Sequence, residues 1–119
     1  SYEHLNHEKL ILISDAVISA GSDFGEGEYC GVPVISDNRG VRYKDSGTLI
    51  GSNKLLPEII ANFIRITGAP VHEAVKFATI NPSRLLELDG SLGSIEIRKN
   101  SNLVIFDGDF RVMRNLKGY

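Results

Sequence analysis

Residues 10–21 read LILISDAVISAG, and this stretch decides the fold class. Leu10, Ile11, Leu12 and Ile13 are consecutive apolar residues, so the strand they predict has no polar side. That pattern belongs to strands covered by helices on both faces, as in parallel sheets, rather than to a sheet wetted on one side. The expectation is a fully buried core strand. It ends at Ser14-Asp15-Ala16, and glycines at 21, 25, 27 and 31 make the continuation a loop. A lone strand of this type would expose two edges of unpaired N–H and C=O groups, so its neighbours must be supplied from elsewhere. The polar lead SYEHLNHEK runs straight into the apolar stretch, as if cut from a longer protein.

Downstream, the pattern changes to short β-type runs, VPVI at 32–35 and VRY at 41–43. The turn-rich Ser36-Asp37-Asn38-Arg39-Gly40 between them predicts a β-hairpin. Pro33 cannot donate a ladder hydrogen bond, which predicts an edge position for its strand. Ser52-Asn53 then precede LLPEIIANFIRITG, where Leu56, Ile59, Ile60, Phe63 and Ile64 share one helical face. Pro57 suits the first turn of that helix and Gly68 its C-terminal stop. Residues 70–80 predict a second helix, with Val71, Ala74, Val75 and Ala78 as a stripe of small side chains for close packing. Asn81 and Pro82 predict the N-cap and first position of a short third helix running to Leu88, ended by Asp89-Gly90. The tail returns to β-type runs at 94–97, 103–106 and 110–113, with Lys99-Asn100 and Asp107-Gly108 as turns.

A chain of 119 residues with 42% hydrophobic content suffices for one compact unit. Its apolar runs fall far short of the roughly 20 residues a membrane helix needs, and no charged-then-apolar leader opens it, which predicts a soluble protein without a membrane partner. A net charge of −2 with mixed signs gives nucleic-acid binding no electrostatic support. Cys30 stands alone, so neither an internal disulfide nor a CxxC pair exists, and a reducing, cytoplasmic setting fits. His4 and His7 have a spacing that can bind a metal on a helix, but they precede the core strand, where a surface connection is expected. His72, beside Glu73, reads as part of a solvated helix face. Gly51-Ser52 before a helix offers an anion site, but no fuller phosphate loop surrounds it and capping is the preferred reading.

In barrels of alternating strands and helices, catalytic side chains sit where strands end and loops begin. Asp15 has that position. A carboxylate there can take a proton from a metal-bound water and return it to a leaving amine. A turn cap or a solvated loop acid is the competing reading.

Four stretches, in order along the chain, carry a family resemblance. LISDAVISAG at 12–21 resembles the strand-eight motif of the metal-dependent amidohydrolases, a hydrophobic run followed by Thr or Ser, Asp, Ala and then Ala-Gly. GTLIGS at 47–52 is similar to the Gly-Thr-Leu-x-Gly-Ser segment that precedes the last barrel helix in the N-acetylglucosamine-6-phosphate deacetylases of that superfamily. HEAVKFATINPSRLLEL at 72–88 resembles the stretch in which a helix ends near Asn-Pro-Ala. GSLGSIEIRKNSNLVIFD at 90–107 follows the closing pattern of Gly-x-Ile, a basic turn and a strand ending in Asp. Ser101-Asn102 departs from the family's Ala-Asp there.

The resemblance implies an α/β fold. Residues 1–88 would be the C-terminal part of a (β/α)8 metal-dependent hydrolase barrel, and residues 89–119 the strands of a small β-sandwich domain. It implies Asp15 as the catalytic acid/base and Thr48, Leu49 and Ile50 as substrate contacts, with loop packing the competing reading for those three. It implies a divalent metal, zinc or similar, in the full-length enzyme. That metal's Glu and His ligands lie on earlier strands without counterparts here, so the fragment alone would bind none. The implied partners are a small amino-sugar phosphate and, in the full-length enzyme, a second copy in a homodimer. Two alternatives stand beside the deacetylase: another amidohydrolase, hydrolysing a cyclic amide or deaminating, and a non-catalytic binding or assembly module derived from a barrel tail. The Ala-Gly after Asp15 and the GTLIGS segment favour the deacetylase.

Overall fold

Helical periodicity is strongest between residues 52 and 68, and there the computed structural model, which describes residues 2–23 and 25–118, forms α1 (Leu56–Thr67). Ile60 is buried and Leu56, Ile59, Phe63 and Ile64 are half-buried, while Glu58, Arg65 and Ile66 are exposed. Gly68 closes the helix in the left-handed region (φ +72°), its N–H donating to the Ile64 carbonyl at 2.8 Å. α2 (Val71–Ala78) buries Ala74 and Phe77. Val71, assigned to the small-residue stripe, is 53% exposed. The inward face instead centres on Phe77, whose ring meets that of Phe63 edge-on at 5.6 Å.

α3 (Ile80–Leu85) begins before the proposed cap and ends before Leu88. Asn81 is not a cap. It is buried within the helix, and its amide donates to the carbonyls of His7 and Leu10 at 2.8 and 2.7 Å, satisfying backbone that has no strand partner among the described residues. The turn that follows the helix places Glu87 in the left-handed region at φ +58°, with the Leu88 N–H returning to the Ser83 carbonyl at 2.8 Å.

The 10–13 run corrects the opening expectation. It is neither a paired strand nor buried on both faces: Leu10, Ile11 and Leu12 are half-buried and Ile13 is 71% exposed. The Leu12 N–H finds the Phe77 carbonyl at 2.9 Å, and the ladder partners that would bury this run are not among the described residues.

The chain divides into two compact units, Ser14–Leu55 and the remainder. Within Ser14–Leu55 lies an antiparallel sheet of β1 (Gly25–Tyr29), β2 (Val32–Asp37), β3 (Gly40–Tyr43) and β4 (Leu49–Gly51), in that spatial order. The β2–β3 hairpin is where the turn cluster placed it, and Val34, Ser36 and Val41 are its buried side chains. β1 falls in the glycine-rich segment read as loop. Its presence makes β2 an inner strand and removes Pro33 from the edge. Proline is tolerated because its carbonyl accepts the Lys44 N–H at 3.0 Å. The missing donor on the same side therefore faces a residue one past the end of β3.

In the other unit β5 (Leu103–Phe106) and β6 (Val112–Leu116) form an antiparallel pair. Residues 94–97 are not a strand; Ile95 and Ile97 are 84% and 94% exposed. The last strand starts two residues later than its apolar pattern suggests. Asp107 Oδ1 accepts the N–H groups of Asp109 and Arg111, both at 2.9 Å, and Phe110 takes φ +60°, so the turn consumes residues assigned to the strand. The chain is thus mixed α/β, and among the described residues no helix is long and apolar enough to cross a membrane.

Candidate functional site

Asp15 takes φ +47°, a region few residues other than glycine adopt and Asp tolerates better than most. Its carbonyl accepts the Ser52 N–H at 2.7 Å, and the Ser52 carbonyl accepts the Val17 N–H at 3.0 Å, a parallel bridge centred on Ala16 and Ser52. The backbone is thereby tied down while the side chain stays exposed. It opens on a groove of about 270 Å³ that also takes in Leu49, Asn38, Arg39 and Lys54.

Of the sequence-assigned residues, Asp15 and Leu49 therefore share one groove. Thr48 and Ile50 are not in its lining. Thr48 is exposed and closes the β3–β4 turn: its carbonyl accepts the Tyr43 N–H at 3.0 Å and its Oγ1 the Ser46 hydroxyl at 2.9 Å. Ile50 is half-buried, its side chain alternating to the opposite face from Leu49. Sequence reasoning missed the cations Arg39 and Lys54. The signal available was the basic residue inside the Ser36–Gly40 turn, since a hairpin tip carries its side chains into whatever space it borders.

Asp37 organises that tip. Its carboxylate takes Arg42 Nη2 at 2.6 Å, Arg39 Nη2 at 3.3 Å and the Arg39 N–H at 2.8 Å. Arg42, then the Arg39 amide, holds the acid down to about 2 from an ordinary 3.8. One carboxylate faces two guanidiniums, so the surplus positive charge rests at Arg39, which is 75% exposed and lines the groove. Because the folded pKa is depressed, this stabilisation is present above the unfolded value and is lost as pH falls through about 2. An NMR carboxyl titration of Asp37 is expected to show the low midpoint, and Arg42→Met is expected to raise it toward 3.8. A wild-type midpoint already near 3.8 would contradict the arrangement.

The histidines assemble nothing comparable. His7 stacks on Tyr2 at 4.4 Å and lies 3.4 Å from Glu73, which also accepts the Tyr2 hydroxyl. That hydrogen bond pushes the phenol up to about 12. His72 is exposed. Among the described residues no group of three or more His, Cys, Asp or Glu converges to hold a metal, so the ligand set of a divalent ion is not found in them.

The family model described as "Amidohydrolase family" matches residues 8–118. An N-acetylgalactosamine-6-phosphate deacetylase of Escherichia coli O157:H7 is 34% identical over 107 residues, covering 90% of this chain and 28% of the relative. An N-acetylglucosamine-6-phosphate deacetylase of Haemophilus influenzae is 27% identical over 108 residues, with coverage of 89% and 28%. The crystal structure of N-acetylglucosamine-6-phosphate deacetylase from Pasteurella multocida matches with a TM-score of 0.83 at 29% identity, over 92% of this chain and 29% of that one. The chain spans under a third of the length of each of these relatives. With the family model running through the Asp15 segment, all three helices and the closing hairpin, the chain belongs to the amidohydrolase family.

Proposed function

We propose that this chain is the C-terminal portion of a metal-dependent (β/α)8 hydrolase that removes the acetyl group from N-acetylglucosamine 6-phosphate, giving glucosamine 6-phosphate and acetate. Residues 1–88 contribute the last barrel strand and helices, and residues 89–119 the returning strands of a small β-sandwich domain. The Leu10–Ile13 run, half-buried up to Leu12 and exposed at Ile13, supports the first part: it has the composition of a doubly covered strand and lacks strand partners among the described residues.

The observation that carries the reading is the Asp15 carboxylate, exposed on a tied-down backbone at the mouth of a groove. As water attacks the acetyl carbonyl, Asp15 takes its proton; as the C–N bond breaks, Asp15 returns that proton to the amine nitrogen. Leu49 offers an apolar wall beside it, and Thr48 and Ile50 act through the shape of the segment. The family's divalent metal has its ligands outside the described residues, and this chain's contribution is the proton carrier. A cytoplasmic homodimer completes the reading, supported by the unpaired Cys30 and by the family resemblance. One finding favours a second reading of the sugar: the 34% identical relative is named for the galactosamine epimer.

Acetate release decides these points. The complete enzyme carrying this segment is expected to turn over N-acetylglucosamine 6-phosphate with added zinc, and this 119-residue chain alone to release none. Turnover by the chain alone, or none by the complete enzyme on either epimer, would sink the proposal. A higher kcat/KM for the galactosamine epimer would transfer the assignment to it.

A further inference from the structure

Around Asp15 the closest packing is backbone against backbone. A Cβ built on Gly51 would sit 2.6 Å from the Asp15 carbonyl oxygen, 2.9 Å from Val17 Cγ1 and 3.6 Å from Asp15 Oδ2. The Asp15 backbone thus packs against a position that only glycine leaves open, with the carboxylate at van der Waals distance from it. Behind it, a Cβ on Gly40 would meet the Gly51 carbonyl oxygen at 2.8 Å, and Gly40 holds φ +109°, so β3 presses on β4 as β4 presses on Asp15. Ser52 holds the same loop from both sides through its N–H and carbonyl. Asn53 anchors the clasp. It is buried, its amide donates to Ser36 Oγ at 3.1 Å and to the Asp37 carbonyl at 2.8 Å, and its carbonyl accepts the Gly21 N–H at 3.1 Å.

We propose that Gly51, Ser52 and Asn53 are positioning residues for Asp15, fixing the left-handed backbone from which its carboxylate reaches the reacting nitrogen. This rests on Asp15 being the proton carrier. Bonds to backbone fix where the carboxylate starts, and a displacement of about 1 Å at a reacting group can cost on the order of a hundredfold in rate. The sheet's role is then to hold one acid in place beside Gly51, so that within the GTLIGSN segment Leu49 walls the groove while Gly51, Ser52 and Asn53 act through Asp15.

The test is a double-mutant cycle in the complete enzyme. Gly51→Ala is expected to lower kcat about tenfold with KM changed less than about twofold, because the loss is in geometry and not in binding. In an Asp15→Asn background the same substitution is expected to change kcat less than about twofold, since no proton carrier is left to misplace. An equal loss in both backgrounds would mark a merely structural role and overturn the inference. If Asp15→Asn is strongly impaired while Gly51→Ala keeps full kcat, the positioning role falls and the catalytic reading of Asp15 stands. If Asp15→Asn keeps full activity, that reading falls and takes the inference with it. Should Gly51→Ala not fold by circular dichroism, Asn53→Ala is carried through the same cycle and judged by the same outcomes.

Discussion

Asp15→Asn in the complete enzyme is expected to reduce acetate release by at least about a hundredfold, the lower end of what a positioned acid or base supplies. That corresponds to roughly 2.7 kcal/mol of lost transition-state stabilisation. Asn keeps the size and planarity of the carboxylate, so the groove with Leu49, Asn38 and Arg39 keeps its shape; what disappears is the capacity to accept and return a proton. The loss should fall in kcat, with KM little affected, because substrate contacts made equally in ground and transition states survive. Turnover within a fewfold of wild type would show that the carboxylate is only a loop acid.

Phe77→Ala is expected to cost about 3–5 kcal/mol of folding stability, the usual range for emptying an aromatic site in a core. Phe77 is 1% exposed, and its ring lies edge-on to Phe63 at 5.6 Å, to His7 at 5.8 Å and to Tyr2 at 6.4 Å. One side chain thus joins α1, α2 and the segment before residue 10, while its carbonyl holds the Leu12 N–H. Removing the ring loses those contacts together and leaves a cavity that neighbours on three segments cannot all close. A urea titration should show the midpoint falling with the slope unchanged, and Phe77→Leu should lose less. A loss under about 1 kcal/mol would mean that the unit's core lies elsewhere.

The helices were the most legible part of the sequence because their signals are local. Five apolar residues at helical spacing, Pro57 and Gly68 define α1 without reference to anything distant. Non-local partners caused the errors. Leu10–Ile13 has the composition of a buried strand, but burial requires neighbours, and the 10–13 backbone turns instead to Phe77 and Asn81. Asn81 has cap chemistry and serves backbone more than 70 positions away, which no window of sequence displays. Ile95 and Ile97 alternate as a strand does and pair with nothing among the described residues. At the site, Asp15 stood out through its place after an apolar run and through the family motif. Arg39 and Lys54 reach the same groove only because β2, β3 and β4 bring positions 39, 54 and 15 together.

The strand hardest to recognise, β1, sits at the boundary of its sheet with the sequence GEGEY. Glycine is a poor strand former and glutamate a below-average one, so the register with β2 relies on its partner rather than on β1 itself. At an outer strand that weakness protects the molecule. Unpaired N–H and C=O groups there would template another chain, and a strand of low β-propensity carrying two acids and two bare glycines is a poor template. Glu26 is held at 2.8 Å by Lys44, while Glu28 stays exposed along the rim. The composition that hid this strand from pattern reading is also a guard against aggregation.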